Sequence, residues 1–245
     1  MSDKTYCYPN SNVLKNKLNI KNSETLFEAE KELTYIRLLE LQTNPIKGTY
    51  NYDHLKEIHR YIFQDVYEWA GELRTVEIGK GNLFCTTQCL ESFGRSVFEK
   101  YYDTCFSYKD NIDEFIRTFS SNYADLNALH PFREGNGRTQ REFARLLCLE
   151  CGYILDLSCT THKEMLEASI LSFNYGDNLA LEKIFSQAII PINMYKGIDD
   201  KLKILTADDL TLPPCERDML YEYYENCDLE IVKKYTTYYR EKSKR

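Results

Sequence analysis

The twelve residues 130–141 read HPFREGNGRTQR, and they decide how the rest of the chain is interpreted. They combine a histidine, a carboxylate, small and amide residues and two arginines in one predicted loop and the start of a helix. Gly135 and Gly137 allow the backbone to approach a ligand closely. The first turn of a helix offers N–H groups and a positive dipole end to an anion. The stretch therefore predicts a phosphate-binding site beside an imidazole base.

The charged side chains of this stretch fit a site for a nucleoside triphosphate. Arg138 and Arg141 are three residues apart, so they share one helix face and can bind several phosphate oxygens. Glu134 is a carboxylate of the kind that holds Mg²⁺ together with substrate phosphates. His130 is predicted at the end of the preceding helix, where it is suited to general-base catalysis at neutral pH.

The other residues of the stretch support the loop, and only the combination points to function. Phe132 is predicted to anchor the loop to the core, and Asn136 either holds the loop or contacts a phosphate. Each charged residue alone is common on ordinary helix surfaces and caps. The Gly-x-Gly has no strand before it, so it is not a dinucleotide fingerprint, and the chain has no GxxxxGK[ST] phosphate loop.

Composition limits the remaining choices of protein class. The chain has 245 residues, 43% of them hydrophobic, which is enough for one substantial core. A net charge of −7 argues against direct nucleic-acid binding. The sequence has no apolar run of the roughly 18 to 20 residues that a membrane span needs and no apolar signal core, so we expect a cytoplasmic protein without membrane contact. Its nine cysteines are odd in number and irregularly spaced, which indicates reduced thiols.

Hydrophobic periodicity predicts a mainly helical chain, so the fold class is all-α. Ser23 is the predicted N-cap of the first helix, and the second is predicted to continue to about Trp69 and to end near Gly71. We divide the chain into an N-terminal helical lead-in (1–50), a catalytic core (51–195) and a helical, Tyr-rich C-terminal appendage (196–245). The predicted helices cover residues 23–43, 51–69, 87–106, 110–129, 138–151, 161–173 and 177–194.

One short segment departs from the helical pattern. Residues 75–78 are β-prone, residues 79–82 (GKGN) have turn chemistry, and residues 83–85 are again apolar. This order is typical of a β-hairpin. The sequence therefore predicts one hairpin over residues 74–85 in an otherwise helical protein.

The motif resembles that of the Fic family (filamentation induced by cyclic AMP), HxFx(D/E)GNGRxxR. Similarity extends to YCYPNSNVLKNKL at residues 6–18, to residues 54–85 and to the helices up to about residue 190. The resemblance implies a Fic-type helical bundle with a hairpin flap beside the active-site loop. The fixed positions of the motif are all matched, by His130, Phe132, Glu134, Gly135, Asn136, Gly137, Arg138 and Arg141.

By this resemblance the chain is expected to transfer AMP from the co-substrate ATP to a Tyr, Thr or Ser hydroxyl of a target protein, with release of pyrophosphate. His130 would deprotonate the hydroxyl, and Glu134 would hold Mg²⁺ on the α- and β-phosphates. Backbone amides of residues 135–137 would form the anion hole. Arg138 and Arg141 would bind the β- and γ-phosphates.

The hairpin corresponds to the flap of the family, where an extended segment of the target protein would pair with the main chain. The residues expected to bind the target there are Ile78, Gly79, Lys80 and Gly81. The Lys80 side chain is interpreted either as a contact to the target or, in the simpler interpretation, as a solvated turn lysine.

Three other activities stay open beside AMP transfer. The chain could use another nucleotide, work as a binding or regulatory protein that keeps the fold, or remove AMP from modified proteins. Relatives that phosphorylate carry Lys in place of the second glycine of GNG, and this chain keeps Gly137. The intact motif favours an adenylylating enzyme.

The inhibitory sequence [ST]xxxE[GN] of many Fic proteins has no full match in the chain. The lead-in resembles the branch of the family that is inhibited by a separate small antitoxin, which is the partner we expect. The alternative is inhibition by the Tyr-rich tail through Glu225. The sequence leaves open whether the protein acts in its own cell or is delivered to a host cell.

Overall fold

The computed structural model describes residues 4–80 and 82–194. Within these residues the chain forms helices joined by short loops, with two small antiparallel sheets. The helices are α1 (Ser23–Thr43), α2 (Tyr52–Phe63), α3 (Leu90–Ser107), α4 (Ile112–Leu129), α5 (Asn136–Glu150), α6 (His162–Tyr175) and α7 (Leu179–Ala188). The strands are β1 (Gly79–Lys80), β2 (Asn82–Leu83), β3 (Tyr153–Leu155) and β4 (Ile189–Pro191).

The predicted fold class, helical with a short hairpin, is confirmed. The hairpin pairs Gly79 with Leu83 and Lys80 with Asn82. A second sheet, in which β3 pairs antiparallel with β4, was not predicted. It joins the segments that follow α5 and α7, so its pairing depends on chain segments far apart in sequence. Within the described residues, no helix has the length and apolarity required to span a bilayer.

Several element boundaries differ from the prediction. Helix α7 ends at Ala188 rather than at residue 194, because the next three residues form β4. Helix α2 ends at Phe63 rather than near Gly71, because the N–H groups of Val66 and Tyr67 both donate to the Phe63 carbonyl and close a turn. Val66 is completely buried, but it lies in this turn and not in the helix predicted to continue to about Trp69. The hairpin strands also differ from the prediction, since the β-prone residues 75–78 form no strand and β1 consists of Gly79–Lys80, which were predicted in the turn.

Two helix starts also differ. Helix α1 is capped by Asn22, whose side chain accepts from the Thr25 N–H, rather than by Ser23. Helix α5 begins at Asn136 instead of Arg138, so the glycine-rich stretch enters the helix. The first turn of α5 therefore lies inside the motif, which matters for anion binding.

The core lies between α2, α4 and α5 and is rich in aromatic side chains. Phe63, Phe119 and Phe143 are completely buried. Burial of one such side chain stabilises the fold by roughly 1.5–3 kcal/mol. The lead-in shares this core through Val13, and Leu41 of α1 is completely buried in it. The division at residue 50 remains a prediction, and residues 196–245 lie outside the described residues.

Helix α2 supports the motif loop through a buried histidine. His59 stacks between Phe63 and Phe132, with ring centroids at 4.6 and 3.8 Å. Its Nδ1 accepts from the Gly71 N–H at 2.8 Å, so Nε2 carries the hydrogen and donates to the Glu134 carbonyl at 3.0 Å. Burial lowers the pKa of His59 to about 3, which keeps the imidazole neutral.

We expect His59 to make the protein less stable in mild acid. Its pKa is about 3 in the folded protein and near 6.5 when unfolded, so between these values the unfolded chain binds the extra proton. The contribution of neutral His59 to the free energy of unfolding is complete above pH 6.5 and decreases as the pH falls towards 3. Between pH 7 and pH 5 the free energy of unfolding should fall by about 2 kcal/mol from this residue.

Urea unfolding at both pH values measures this slope. The His59→Gln variant should be less stable at pH 7 but should lose about 2 kcal/mol of the pH dependence. Its control is His162→Gln, at the exposed start of α6. An unchanged pH slope in His59→Gln would contradict the assignment.

Candidate active site

His130 ends α4 in a left-handed conformation, with φ 42° and ψ 61°. This conformation is uncommon for a residue with a side chain, and it turns the chain sharply into the motif loop. The ring Nδ1 lies 3.1 Å from the Asn127 carbonyl oxygen. A carbonyl only accepts, so Nδ1 is the donor and Nε2 carries the lone pair. This is the tautomer that a general base needs.

An aromatic residue behind the flap orients the His130 ring. Phe84 directly follows β2 and stacks on His130 with centroids at 3.8 Å and planes at 7°. On its other side it contacts Phe173 of α6 at 4.9 Å. Sequence reasoning assigned Phe84 only to the hairpin. The apolar residues 83–85 after the turn indicated a strand, but they did not indicate that Phe84 stacks on His130.

Arg74 joins the flap to the histidine, and sequence reasoning gave it no role. Its side chain has no solvent exposure. Nε donates to the His130 carbonyl at 2.9 Å, Nη1 to that of Val76 at 3.0 Å, and Nη2 to that of Cys85. The Arg74 backbone N–H also donates to the Pro131 carbonyl at 2.9 Å. One buried guanidinium therefore fixes both ends of the flap relative to the loop.

The loop reaches α5 through Gly135, where a side chain would not fit. Its φ is +80°, and a Cβ there would lie 2.1 Å from the Phe63 ring. The Gly135 N–H donates to the Glu134 carboxylate at 2.9 Å. Glycine is thus required at this position both by the backbone conformation and by the approach of α2.

The Asn136 side chain holds the motif loop through two hydrogen bonds to the backbone of Phe132. Its side-chain oxygen accepts from the Phe132 N–H at 2.9 Å, and its amide nitrogen donates to the Phe132 carbonyl at 2.7 Å. Of the two roles left open for Asn136, the structure therefore has its side chain holding the loop. Phe132 is completely buried, as expected for an anchor.

The first turn of α5 forms an anion seat. Its N-cap Gly135 makes no side-chain cap, and the first internal hydrogen bond runs from the Thr139 N–H to the Gly135 carbonyl at 3.2 Å. The N–H groups of Asn136, Gly137 and Arg138 precede that bond, so they are available to an anion. The Gly135 N–H, the first of the amides of residues 135–137, donates to the Glu134 carboxylate.

The two motif arginines differ in their surroundings. The Arg138 guanidinium lies 4.7 Å from the centre of the Phe63 ring, donates to Thr34 at 3.0 Å and forms an ion pair with Glu30. Arg141 forms no ion pair within the described part of the chain. Its Nη1 lies over Gly137, 3.2 Å from where a Cβ would be. A side chain at position 137 would therefore crowd Arg141.

Glu134 projects from the loop at the edge of this seat. Its side chain is 47% exposed and lies 4.0 Å from Arg138 Nη2. No cluster of three or more metal-binding side chains occurs among residues 4–80 and 82–194. A single exposed carboxylate beside an anion seat fits a cation that is shared with substrate phosphates.

The flap residues are only partly described. Ile78 is half-buried, and its carbonyl accepts from the Phe84 N–H at 3.1 Å. Gly79 is exposed, and a Cβ there would lie 2.5 Å from the Asn82 carbonyl oxygen. Lys80 belongs to β1, and Gly81 lies outside the described residues.

Comparison with known proteins identifies the family of the chain. The sequence model of the Fic/DOC family matches residues 49–148, which include the whole motif. The probable protein adenylyltransferase y4lH of Sinorhizobium fredii is 39% identical over 173 residues, which are 70% of this chain and 88% of that protein. The chain belongs to the Fic/DOC family.

Two further relatives give the extent of the similarity. The protein adenylyltransferase VbhT of Bartonella schoenbuchensis is 36% identical over 199 residues, 81% of this chain but only 41% of VbhT. The N-terminal Fic domain of a VirB-translocated Bep effector protein from Bartonella quintana, solved with bound ADP, has a TM-score of 0.68 and 27% identity. That similarity covers 76% of this chain and 95% of the solved one.

Replacement of Gly135 should destabilise this Fic/DOC protein more than replacement of another glycine with positive φ. Gly152→Ala is the matched control, since φ is +85° but no atom lies within 4 Å of the added Cβ. We expect a loss of about 1–2 kcal/mol for Gly152→Ala and a further 1–3 kcal/mol for Gly135→Ala. Urea unfolding measures both, and equal losses would contradict the close packing against Phe63.

Arg74→Lys should loosen the flap although it keeps the charge, because one ammonium cannot reach three carbonyls that a guanidinium fork spans. We expect a loss of roughly 1.5–3 kcal/mol in the free energy of unfolding for a lost charged hydrogen bond. Protease cleavage within residues 74–85 should also become faster. Arg60→Lys, on the exposed face of α2, is the control. Equal stability of both variants would argue against the role of Arg74.

Proposed function

We propose that the chain is a protein adenylyltransferase, which transfers AMP from ATP to a Tyr, Thr or Ser hydroxyl of a target protein. The observation that carries the proposal is that His130 ends α4 only five residues before Gly135, the N-cap of α5, which makes no side-chain cap. A base next to an anion seat is what hydroxyl attack on a phosphate requires. The names of the relatives VbhT and y4lH support the same reaction.

The proposed reaction starts with removal of the target's hydroxyl proton. Nε2 of His130 accepts this proton, while Nδ1 stays bonded to the Asn127 carbonyl. The target oxygen forms a bond to the α-phosphorus of ATP, and the bond from that phosphorus to the bridging oxygen breaks. Pyrophosphate leaves with the electron pair. His130 then returns the proton to solvent or product.

The anion seat and the arginines act on the phosphates. The N–H groups of Asn136, Gly137 and Arg138 stabilise the charge that develops during attack, since they are already oriented by α5. Arg138 and Arg141 bind the β- and γ-phosphates and hold the leaving group in line. Glu134 would hold Mg²⁺ together with substrate phosphates, and the ion would supply further neutralisation of charge.

The flap is the proposed binding site for the target segment. Main-chain groups of residues 78–81 would pair with an extended strand of the target. Leu83 is 64% exposed and adjoins this edge, so it offers an apolar contact to the bound segment. Phe84 and Arg74 connect the flap to His130, which would place the target hydroxyl near the base.

Regulation and location follow from the resemblance to the antitoxin branch. We propose that a separate small antitoxin inhibits the enzyme, with the Tyr-rich tail as the alternative inhibitor. Because ATP is the co-substrate, the proposed site of action is the cytoplasm, of the producing cell or of a cell that receives the protein. Deletion of residues 196–245 distinguishes the two inhibitors, since only inhibition by the tail predicts higher activity.

The pure protein with Mg²⁺, ATP labelled at the α-phosphate and cell lysate should label a protein with one AMP, detected as an increase in intact mass. His130→Ala should lower the rate at least about 100-fold, the lower range for loss of a general base. His162→Ala, at the exposed start of α6, is the matched control.

The outcomes of this assay separate the alternatives. Equal labelling by His130→Ala would disprove the mechanism. Labelling only with GTP, CTP or UTP would support a nucleotidyltransferase that uses a nucleotide other than ATP. No labelling with any of the four, for the full chain and for the chain without residues 196–245, would contradict the proposed function.

A further inference from the structure

Helix α1 supplies a carboxylate to the motif, although it lies far from it in sequence. The Arg138 Nη2 pairs with one oxygen of Glu30, and the Tyr67 hydroxyl donates to the other. Arg138 Nη1 donates to Thr34 Oγ1 at 3.0 Å, and that hydroxyl donates to the Glu30 carbonyl at 2.8 Å. The four side chains form one continuous network from α1 to the first turn of α5.

This network is largely excluded from water. The side chain of Glu30 is 10% exposed and that of Arg138 is 21% exposed, while Thr34 and Tyr67 are almost completely buried. Burial and the neighbouring Glu30 raise the pKa of Tyr67 well above its ordinary value, so its hydroxyl remains a donor. Both carboxylate oxygens of Glu30 thus have a donor, as a buried carboxylate requires.

The contacts to Glu30 and Thr34 leave part of the guanidinium for a ligand. Arginine has five N–H donors, and hydrogen bonds to described residues occupy one on each Nη of Arg138. One donor on each Nη and the Nε–H remain. Arg138 can therefore keep Glu30 and bind a phosphate at the same time.

We propose that Glu30 is a positioning residue for nucleotide binding, which fixes the Arg138 guanidinium so that its remaining donors meet a diphosphate. The inference rests on the proposed function for its ligand, a nucleoside di- or triphosphate. It adds a residue outside the motif to the site. Glu30 does not touch the nucleotide itself and acts through Arg138.

A carboxylate near a phosphate site also has an opposing effect, since like charges repel. In this site that repulsion is reduced because Glu30 is bonded to both a guanidinium and a hydroxyl. Without that carboxylate, the only ion pair left to Arg138 among the described residues would be the one with the exposed Glu134, 4.0 Å from its Nη2, and the guanidinium would turn towards solvent. We therefore expect loss of Glu30 to weaken diphosphate binding.

The same helix carries a matched control. Glu40, ten residues along α1, accepts from the Tyr61 hydroxyl at 2.9 Å and from Arg37 at 2.8 Å. This network has the same chemical groups and joins α1 to α2, but it does not include Arg138. Loss of Glu40 therefore reproduces the loss of a Tyr–Glu–Arg network without affecting the site.

The experiment measures binding of ADP and of AMP to the full chain by calorimetry. The Glu30→Gln variant should bind ADP about 10-fold or more weakly, as for other groups that orient a binding side chain, and AMP almost unchanged. Glu40→Gln should bind both like the wild type. Added to Arg138→Ala, the Glu30→Gln change should have no further effect, because Glu30 acts through that arginine.

Three results would overturn the inference: equal ADP affinity in Glu30→Gln and Glu40→Gln, tighter ADP binding by Glu30→Gln, or no ADP binding by the wild type. Tighter binding would mean that Glu30 competes with the phosphate for Arg138. AMP transfer by the wild type is measured separately. Its absence, with the expected ADP pattern, would refute the proposed function and not the role of Glu30.

A milder pair of variants covers the case in which Glu30→Gln fails to fold. Tyr67→Phe keeps the ring, which stacks on Trp69 at 4.2 Å, and removes only the donor to Glu30. Tyr61→Phe removes the corresponding donor to Glu40. Weaker ADP binding with unchanged AMP binding in Tyr67→Phe alone supports the proposal, and equal ADP binding in both variants overturns it.

Discussion

The uncapped N-terminus of α5 is the constraint on which the site depends. A helix that starts on a glycine forgoes a capping side chain, at a cost of roughly a few tenths of a kcal/mol, and keeps its first N–H groups for a ligand. The loop before it must then be held by other means. Asn136 binds both backbone groups of Phe132 from within, and His59 binds the Glu134 carbonyl from α2. These contacts fix the seat without occupying it.

The base is held by a second set of contacts that also holds the flap. Phe84 stacks on the His130 ring, and Arg74 donates to the His130 carbonyl. The same guanidinium donates to the carbonyls of Val76 and Cys85 at the two ends of the hairpin. Arg74 is completely buried, so its hydrogen bonds do not compete with water. The position of the flap and that of His130 are therefore coupled. A target segment that binds to the flap is therefore held at a defined position relative to His130.

The sequence predicted those parts of the site that are local in the chain. The motif residues lie within one loop and one helix turn, so their spacing already determines which face they share. Partners from elsewhere could not be predicted, because Glu30 is 108 residues from Arg138, His59 is 75 from Glu134, and Arg74 is 56 from His130. The predicted end of α2 was wrong for a related reason. Val66 continues the apolar period of that helix, but it is buried by a turn.

The two motif arginines show what the distant partners contribute. A mobile arginine side chain carries about 2 kcal/mol of rotamer entropy, which is lost when it binds a ligand. For Arg138 that ordering occurs on folding, because Glu30, Thr34 and Phe63 already restrain the guanidinium. Arg141 has no such ion pair among the described residues, so its ordering is left to the binding step. An arginine fixed in advance sets the geometry of the phosphates, whereas one ordered on binding can follow the leaving group.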